Sequence, residues 1–310
     1  MDTFAITIAV IFIATLIVSY FKATSKDACL KLFKKNMIVV KLKNGDTMWG
    51  RFFLESTGFL LVYEKPHDNV THLETGFFIY KSEYPTLFGV FRPVSLMNEI
   101  ELRERENLMK VYRKGFFVWL RDKTRNFFSA VRDAIVQSFN LFLGRYLVPK
   151  SSVIASNKKY ISSVGQSAVE FVGNAYDPLL ERNIGKKVVY EVNIGDDWKE
   201  FVGILMKYSK DFLAIFDTEF PLDVNLKIKG DGTEEEHFNV RFSRKGSKLE
   251  ISNRRGDSIE IAVGEKTYKI DKGERKILEI PENVEFRMVL RETFDVVFPR
   301  SICIVRHTAR

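Results

Sequence analysis

One short pattern occurs twice, and it limits the possible folds more than any other feature. The first copy is MIVVKLKNGDTMWGRFFLESTGFLLVYE, residues 37–64, and the second is KKVVYEVNIGDDWKEFVGILMKYSKDFLAIFD, residues 186–217. From Gly50 and from Gly203 the copies run without a gap to Glu64 and Asp217. Ser56 then falls on Ser209, Phe59 on Phe212, Leu60 on Leu213 and Tyr63 on Phe216. Each copy alternates apolar and polar residues, turns at a Gly-Asp pair, alternates again through an early glycine, turns on polar residues and ends on an apolar run. Alternation of period two marks a strand with one buried face, and Asn-Gly between two such runs marks a hairpin. Gly45 and Gly195 are the turn glycines. Gly50 and Gly203 mark where the second strand bends sharply.

In the first copy the strands are expected over 37–43, 48–54 and 59–63. Residues 86–91 and 94–96 supply two more, with Pro93 at the break between them. The expected product is a strongly bent five-stranded sheet. This resembles the Sm-like fold, the small barrel of Sm, LSm and Hfq proteins, whose first motif has the form strand, xGxxxxG, strand, turn, strand. Val39-Val40-Lys41-Leu42-Lys43-Asn44-Gly45 followed by Gly50 carries that form. The second copy is longer by three residues between Gly195 and Gly203. The family's closing motif has its nearest matches at 89–96 and, far downstream, at 296–305. An SH3-like barrel is the alternative small barrel.

The resemblance implies barrels that join side to side through their open edge strands and form rings. Exposed edges otherwise invite uncontrolled pairing, so closure into a ring also answers a physical need. Sm-like proteins often bind RNA through an Asp-x-x-Asn element and an Arg-Gly turn. Here Val62-Tyr63-Glu64 and Ile215-Phe216-Asp217 lack the Asn. Phe91-Arg92-Pro93 and Pro299-Arg300-Ser301 lack the Gly. These departures argue against nucleic acid as a partner.

Residues 224–290 have a strand rhythm of their own, punctuated by Gly246, Gly256, Gly264 and Gly273. Short strands at such spacing predict a small β-sandwich. It is either inserted in the second barrel or a separate domain after it.

Residues 4–21, FAITIAVIFIATLIVSYF, form an uncharged run of 18. That length spans hydrocarbon with modest tilt, so Phe4, Ile8, Ile11, Leu16 and Phe21 are expected to line a transmembrane helix. Lys22, Lys26, Lys31, Lys34 and Lys35 follow the run and nothing basic precedes it. The positive-inside rule then predicts a single-pass protein of the cell membrane, N-terminus outside and body cytoplasmic.

Residues 110–150 carry nine basic and two acidic residues, a surplus of +7 against a net charge of +8 for the chain. Phe127, Val131, Ile135, Phe139 and Leu143 recur every fourth position and line one helical face. A basic helix with aromatic residues suits a surface of anionic lipid. Its candidate contacts are Lys114, Trp119, Arg121, Lys123, Arg125, Phe127, Phe128 and Arg132. The other reading is a helical hairpin packed on its own barrel.

Motifs of catalysis are missing from the sequence. It has no CxxC, no GxxxxGK[ST], no strand-coupled GxGxxG and no serine elbow. Cys29 and Cys303 stand far apart, which fits a reducing compartment and no disulfide framework. His67, Asp68 and His72 share a polar loop without a metal signature. No catalytic, cofactor-binding or metal-ligating residue is assigned, and no cofactor is expected.

The expected architecture is α+β and membrane-anchored. It comprises an anchor over 1–26, a first barrel over 27–96, a helical region over 97–182, a second barrel over 183–222 plus 291–308, and a β-sandwich over 223–290. The expected function is a non-catalytic homo-oligomeric ring or scaffold on the membrane. The alternatives are a channel-like ring, laid out as in small-conductance mechanosensitive channels, and an RNA-binding module.

Overall fold

The computed structural model describes residue 20 and residues 24–68, 71–113, 177–195, 197–226, 228, 232–279 and 285–309. The first module contains β1 (Met37–Leu42), β2 (Thr47–Leu54), β3 (Gly58–Asp68), β4 (Leu73–Tyr80) and β5 (Leu87–Pro93). All neighbours are antiparallel, in the order β5-β1-β2-β3-β4. The second module contains β6 (Lys187–Ile194), β7 (Asp197–Tyr208), β8 (Phe212–Leu226), β15 (Phe286–Pro299) and β16 (Cys303–Thr308), in the order β16-β6-β7-β8-β15. The two orders are the same when strands are counted from one to five within each module.

The repeat extends further upstream than the alternating pattern. A 3-10 turn, Leu30–Phe33, precedes β1, and a short helix, α2 (Pro178–Glu181), precedes β6. Asp27 Oδ1 accepts from the backbone N–H groups of Cys29 and Leu30. Asp177 Oδ1 accepts from those of Leu179 and Leu180. Both carboxylates satisfy donors that the first helical turn leaves unpaired. Gly45 in the β1–β2 turn has φ +96° and Gly195 in the β6–β7 turn has φ +58°, the left-handed region that a side chain disfavours.

Gly50 and Gly203 also match. A Cβ on Gly50 would lie 2.5 Å from the Val62 carbonyl oxygen, and one on Gly203 would lie 2.5 Å from Ile215 Cγ2. Val62 and Ile215 are themselves aligned positions. In both modules the glycine lets the third strand pass close over the second.

The modules share one sheet. β5 pairs with β1 on one side and with β15 on the other, which continues the order from module to module. Central strands are therefore buried on both faces, and β5 (LFGVFRP) is buried at every position. Its Leu87 and Val90 enter one apolar cluster together with Phe52, Leu61, Phe212, Phe216 and Val297. Its Phe88 and Phe91 enter the other, with Phe220, Phe294 and Phe298. Both clusters draw residues from both modules, so the modules form one packed body.

Between β8 and β15 the chain makes β9 (Glu234–His237), β10 (Val240–Lys245), β11 (Lys248–Asn253), β12 (Ile259–Val263), β13 (Lys266–Ile270) and β14 (Arg275–Glu279). A four-stranded sheet of order β14-β11-β10-β9 stands apart from the main sheet. The hairpin β12–β13 joins the main sheet through β15. Val240, Phe242, Leu249 and Ile251 of the small sheet pack with Leu222, Val224, Met288 and Leu290 of the long β8–β15 ribbon.

Several expectations are corrected. The fold is mostly β, built of large antiparallel sheets, and not α+β. Among the described residues no helix is long and apolar enough to cross a membrane. The longest, α1 (Glu99–Arg113), has 15 residues, eight of them charged. The transmembrane, single-pass and cell-membrane expectations therefore have no helix in the described chain to carry them and are withdrawn. Phe4, Ile8, Ile11, Leu16 and Phe21 lie outside the described residues, as does the basic stretch from Lys114 to Arg132. Residues 94–96 are a 3-10 turn rather than a strand, because Pro93 ends the ladder. The fourth strand of the first module is β4, which the sequence reading passed over.

Candidate functional site: a sheet joint and two open edges

The joint between modules pairs β15 with β5 at Phe294↔Pro93, Asp295↔Arg92, Val296↔Phe91 and Val297↔Val90. Asp295 is fully buried. It sits where the β8–β15 ladder shifts register, with two β8 residues, Phe216 and Asp217, opposite it. Asp217 takes φ +60° at this bulge, and its N–H donates to Asp295 Oδ1 at 3.1 Å.

Two guanidinium groups complete the shell of Asp295. Arg92 Nη2 donates to Oδ2 at 2.6 Å. Arg105, carried across from α1, donates from Nε to Oδ2 at 2.8 Å and from Nη2 to Oδ1 at 2.9 Å. Arg105 Nη2 also reaches Asp217 Oδ1 at 3.2 Å. The Arg92 cation lies over the adjacent rings of Phe33 and Phe216, 4.7 and 4.9 Å from their centroids. Its Nη1 donates to the Leu32 carbonyl and to Asn36 Oδ1. Asn36 in turn donates to Glu101 on α1.

Burial pulls the Arg92 pKa down, opposed by Asp295. Burial also pulls Arg105 down, but its hydrogen bonds and charge pairing with Asp295 more than reverse this. Both remain cations at neutral pH, because guanidinium is so strong a base. Three distant segments are thus tied by one carboxylate: β5, α1 and β15. An ion pair of this kind contributes little over a well-packed apolar core, but losing one member strands a buried charge. It lies at the register where β5 meets β15, with Arg92 directly opposite Asp295.

The sheet path ends at β4 on one side and β16 on the other, so each presents an edge with no partner strand among the described residues. β4 exposes Leu73, Phe77, Phe78 and Tyr80, with Phe78 62% accessible. Aromatic side chains along an unpaired edge are an aggregation hazard that native proteins cover or charge. β16 exposes Ile304, Arg306, His307 and Thr308, with Arg306 paired to Glu191.

The outer edges are the same two kinds of strand that meet at the joint. β4 is the fourth strand of its module, as β15 is of the other. β16 is a fifth strand, as β5 is. Phe59↔Ile79 and the aligned Phe212↔Pro299 make Phe77 the counterpart of Val297. Val40↔Val90 and Tyr190↔Val305 make Val305 the counterpart of Val90. The charges are not repeated: Thr75 stands where Asp295 does.

The described residues contain no group of histidine, cysteine and carboxylate side chains able to hold a metal ion. Cys29 and Cys303 are buried free thiols, and burial pushes both pKa values up, which leaves them poor nucleophiles. Of the residues singled out from sequence, Gly45, Gly50, Gly195 and Gly203 shape the modules but do not touch the joint. Asp295 and Arg105 were missed. The available signal was a lone acid inside the apolar run FDVVF, since charged residues are rarely buried unless paired.

No protein-family model, curated protein or solved structure matches the chain.

Proposed function

We propose that this protein is a non-catalytic assembly subunit, built from two Sm-like barrels and joined to further copies of itself edge to edge. The single observation that carries the reading is the internal joint. There a fifth strand of one module pairs with a fourth strand of the other, and the chain's two open edges are again one fourth strand and one fifth strand. A second copy that lays its β4 against β16 of the first repeats the joint. Each added copy renews the same open pair of edges, so assembly is head to tail and ends only on closure into a ring.

The outer contact differs from the inner one in chemistry. It offers Phe77 and Phe78 for burial but no counterpart of the Arg92–Asp295 pair. It joins separate chains rather than two parts of one, so assembly depends on concentration.

Sedimentation equilibrium of the full chain across micromolar concentrations tests the proposal. Masses at multiples of the chain mass are expected, rising with concentration. Phe78→Lys, which charges the exposed edge, should shift the distribution toward the monomer. A chain that stays monomeric throughout overturns the reading.

A further inference from the structure

Three neighbouring strands of the first module carry apolar residues in succession: Phe52-Phe53-Leu54 on β2, Phe59-Leu60-Leu61 on β3 and Phe77-Phe78-Ile79 on β4. Successive side chains of a strand point to opposite faces, so both faces of the sheet are apolar here. An antiparallel sheet with one face in water alternates instead. One face is accounted for, because Phe52, Leu54, Phe59, Leu61 and Ile79 are buried in the core. The other holds Phe53, Leu60, Val62, Phe78 and Tyr80. The register sets Phe53 beside Leu60 and Leu60 beside Phe78, in one row across the three strands. The rings of Phe78 and Tyr80 stack at 6.5 Å. Both side chains and that of Val62 are exposed, so the described residues leave this face open.

The chain enters the fold at one end of the same face. Lys26 Nζ donates to the Leu54 carbonyl at 2.8 Å and pairs with Glu55. Lys81 Nζ donates to the Ser25 carbonyl at 3.1 Å. Leu54 directly follows Phe53 and Lys81 directly follows Tyr80, so residues 25 and 26 are fixed beside two members of the face. Thr24 Oγ1 donates to the Tyr20 carbonyl at 2.9 Å, four positions back, as in a helical turn. Just before this point runs the uncharged stretch of 18 residues, 4–21, of which Tyr20 alone is described. Two apolar surfaces therefore adjoin, and burial of either favours removal from water.

We propose that residues 4–21 lie across the outer face of β2, β3 and β4 and cover Phe53, Leu60, Val62, Phe78 and Tyr80 of the same chain. The reach is sufficient. From Tyr80 to Gly76 the face is about 13 Å long, at about 3.3 Å per residue. Even at a helical rise of about 1.5 Å, the 18 residues span about 27 Å. The lack of charge in the run suits this place, because no ionised group would be buried without a partner. A segment tethered at Ser25 meets the face at an effective concentration on the order of millimolar, which favours it over a separate molecule. The contact uses side chains of one face, whereas edge-to-edge assembly uses the backbone of β4. It would stand if the chain proved monomeric.

Photo-cross-linking in the full chain tests the proposal, with Tyr80 replaced by p-benzoylphenylalanine. Mixed heavy- and light-isotope chains separate links within a chain from links between chains. Mass spectrometry is expected to find Tyr80 joined to a peptide from residues 4–21 of its own chain. The same probe in place of Ile277, an exposed apolar residue of β14, should not capture that peptide. Ile11→Lys puts a charge into the run and should lower the Tyr80 link by about tenfold or more, since an unpaired lysine is rarely buried. Both probe positions are exposed and Ile11 lies outside the described core, so the fold is left intact. Capture of residues 114–176, of another chain or of lipid in place of residues 4–21 overturns the proposal. So does equal capture from Ile277, or a link that Ile11→Lys leaves unchanged.

Discussion

Arg92 Nη2 and Asp295 Oδ2 meet at 2.6 Å across the sheet, although 203 positions separate them in the chain. They are direct cross-strand partners, and their strands come from different modules. The pair therefore reports the joining of the modules and nothing local.

Asp295→Asn should destabilise the chain by about 3–5 kcal/mol, because it leaves Arg92 and Arg105 buried with a neutral partner. Denaturant melts measure this. Asp223→Asn is the comparison: it removes a half-exposed pair with Lys41 at 3.5 Å and should cost under about 1 kcal/mol. Equal losses for the two variants would mean that the joint is not held through Asp295.

The two bend glycines should respond unequally to alanine. At Gly50 the new methyl meets a backbone carbonyl at 2.5 Å, which cannot step aside without moving β3. At Gly203 the closest atom is the Cγ2 of Ile215, with backbone only at 3.0 Å. Gly50→Ala is expected to lower stability by about 1–3 kcal/mol, the usual cost of overpacking, and Gly203→Ala by less. Thermal melts of both variants give the order, and the reverse order would contradict the close approach of β3.

A pair of cysteines can read the register of assembly. Phe77→Cys with Val305→Cys should give disulfide-linked oligomers on mild oxidation, seen on a non-reducing gel. Phe77→Cys with Ile304→Cys should not, because neighbouring residues of a strand face opposite sides. The native thiols are buried and should stay silent. Links in the second variant alone would mean a different edge contact.

Glu292 makes stability depend on pH in a direction unusual for a paired carboxylate. Burial first, and then Asp257, raise its pKa above the ordinary value, against the pull of Arg255. The folded state thus holds the proton more tightly than the unfolded chain. Its contribution is fully present below the unfolded pKa and is lost as pH rises through the raised folded value. Relative to the wild type, Glu292→Gln should therefore gain stability as pH is raised through that window. Urea melts at several pH values test the trend, and a difference that shrinks with rising pH would exclude it.

Some of this was legible in the sequence for local reasons. Hairpin glycines, alternation of period two and an early glycine in the second strand are short-range features, and they marked β1–β3 and β6–β8. Edge strand β4, LETGFFIY, exposes side chains on both faces and so lost the alternation that would have announced it. Residues 94–96 looked like a strand because they are apolar, but Pro93 had already ended the ladder.

The sequence by itself determined the repeat, the turns and the bend, because each follows from backbone sterics within a few residues. Only the tertiary structure decided that β5 lies against β15. β5 and the Phe294–Pro299 end of β15 are buried on both faces, and a run without alternation does not say which neighbour covers it. The same holds for the carboxylate of Asp295 and for Arg105 arriving from α1. Each of these joins segments more than a hundred residues apart, and such proximity is a property of packing that no local pattern encodes.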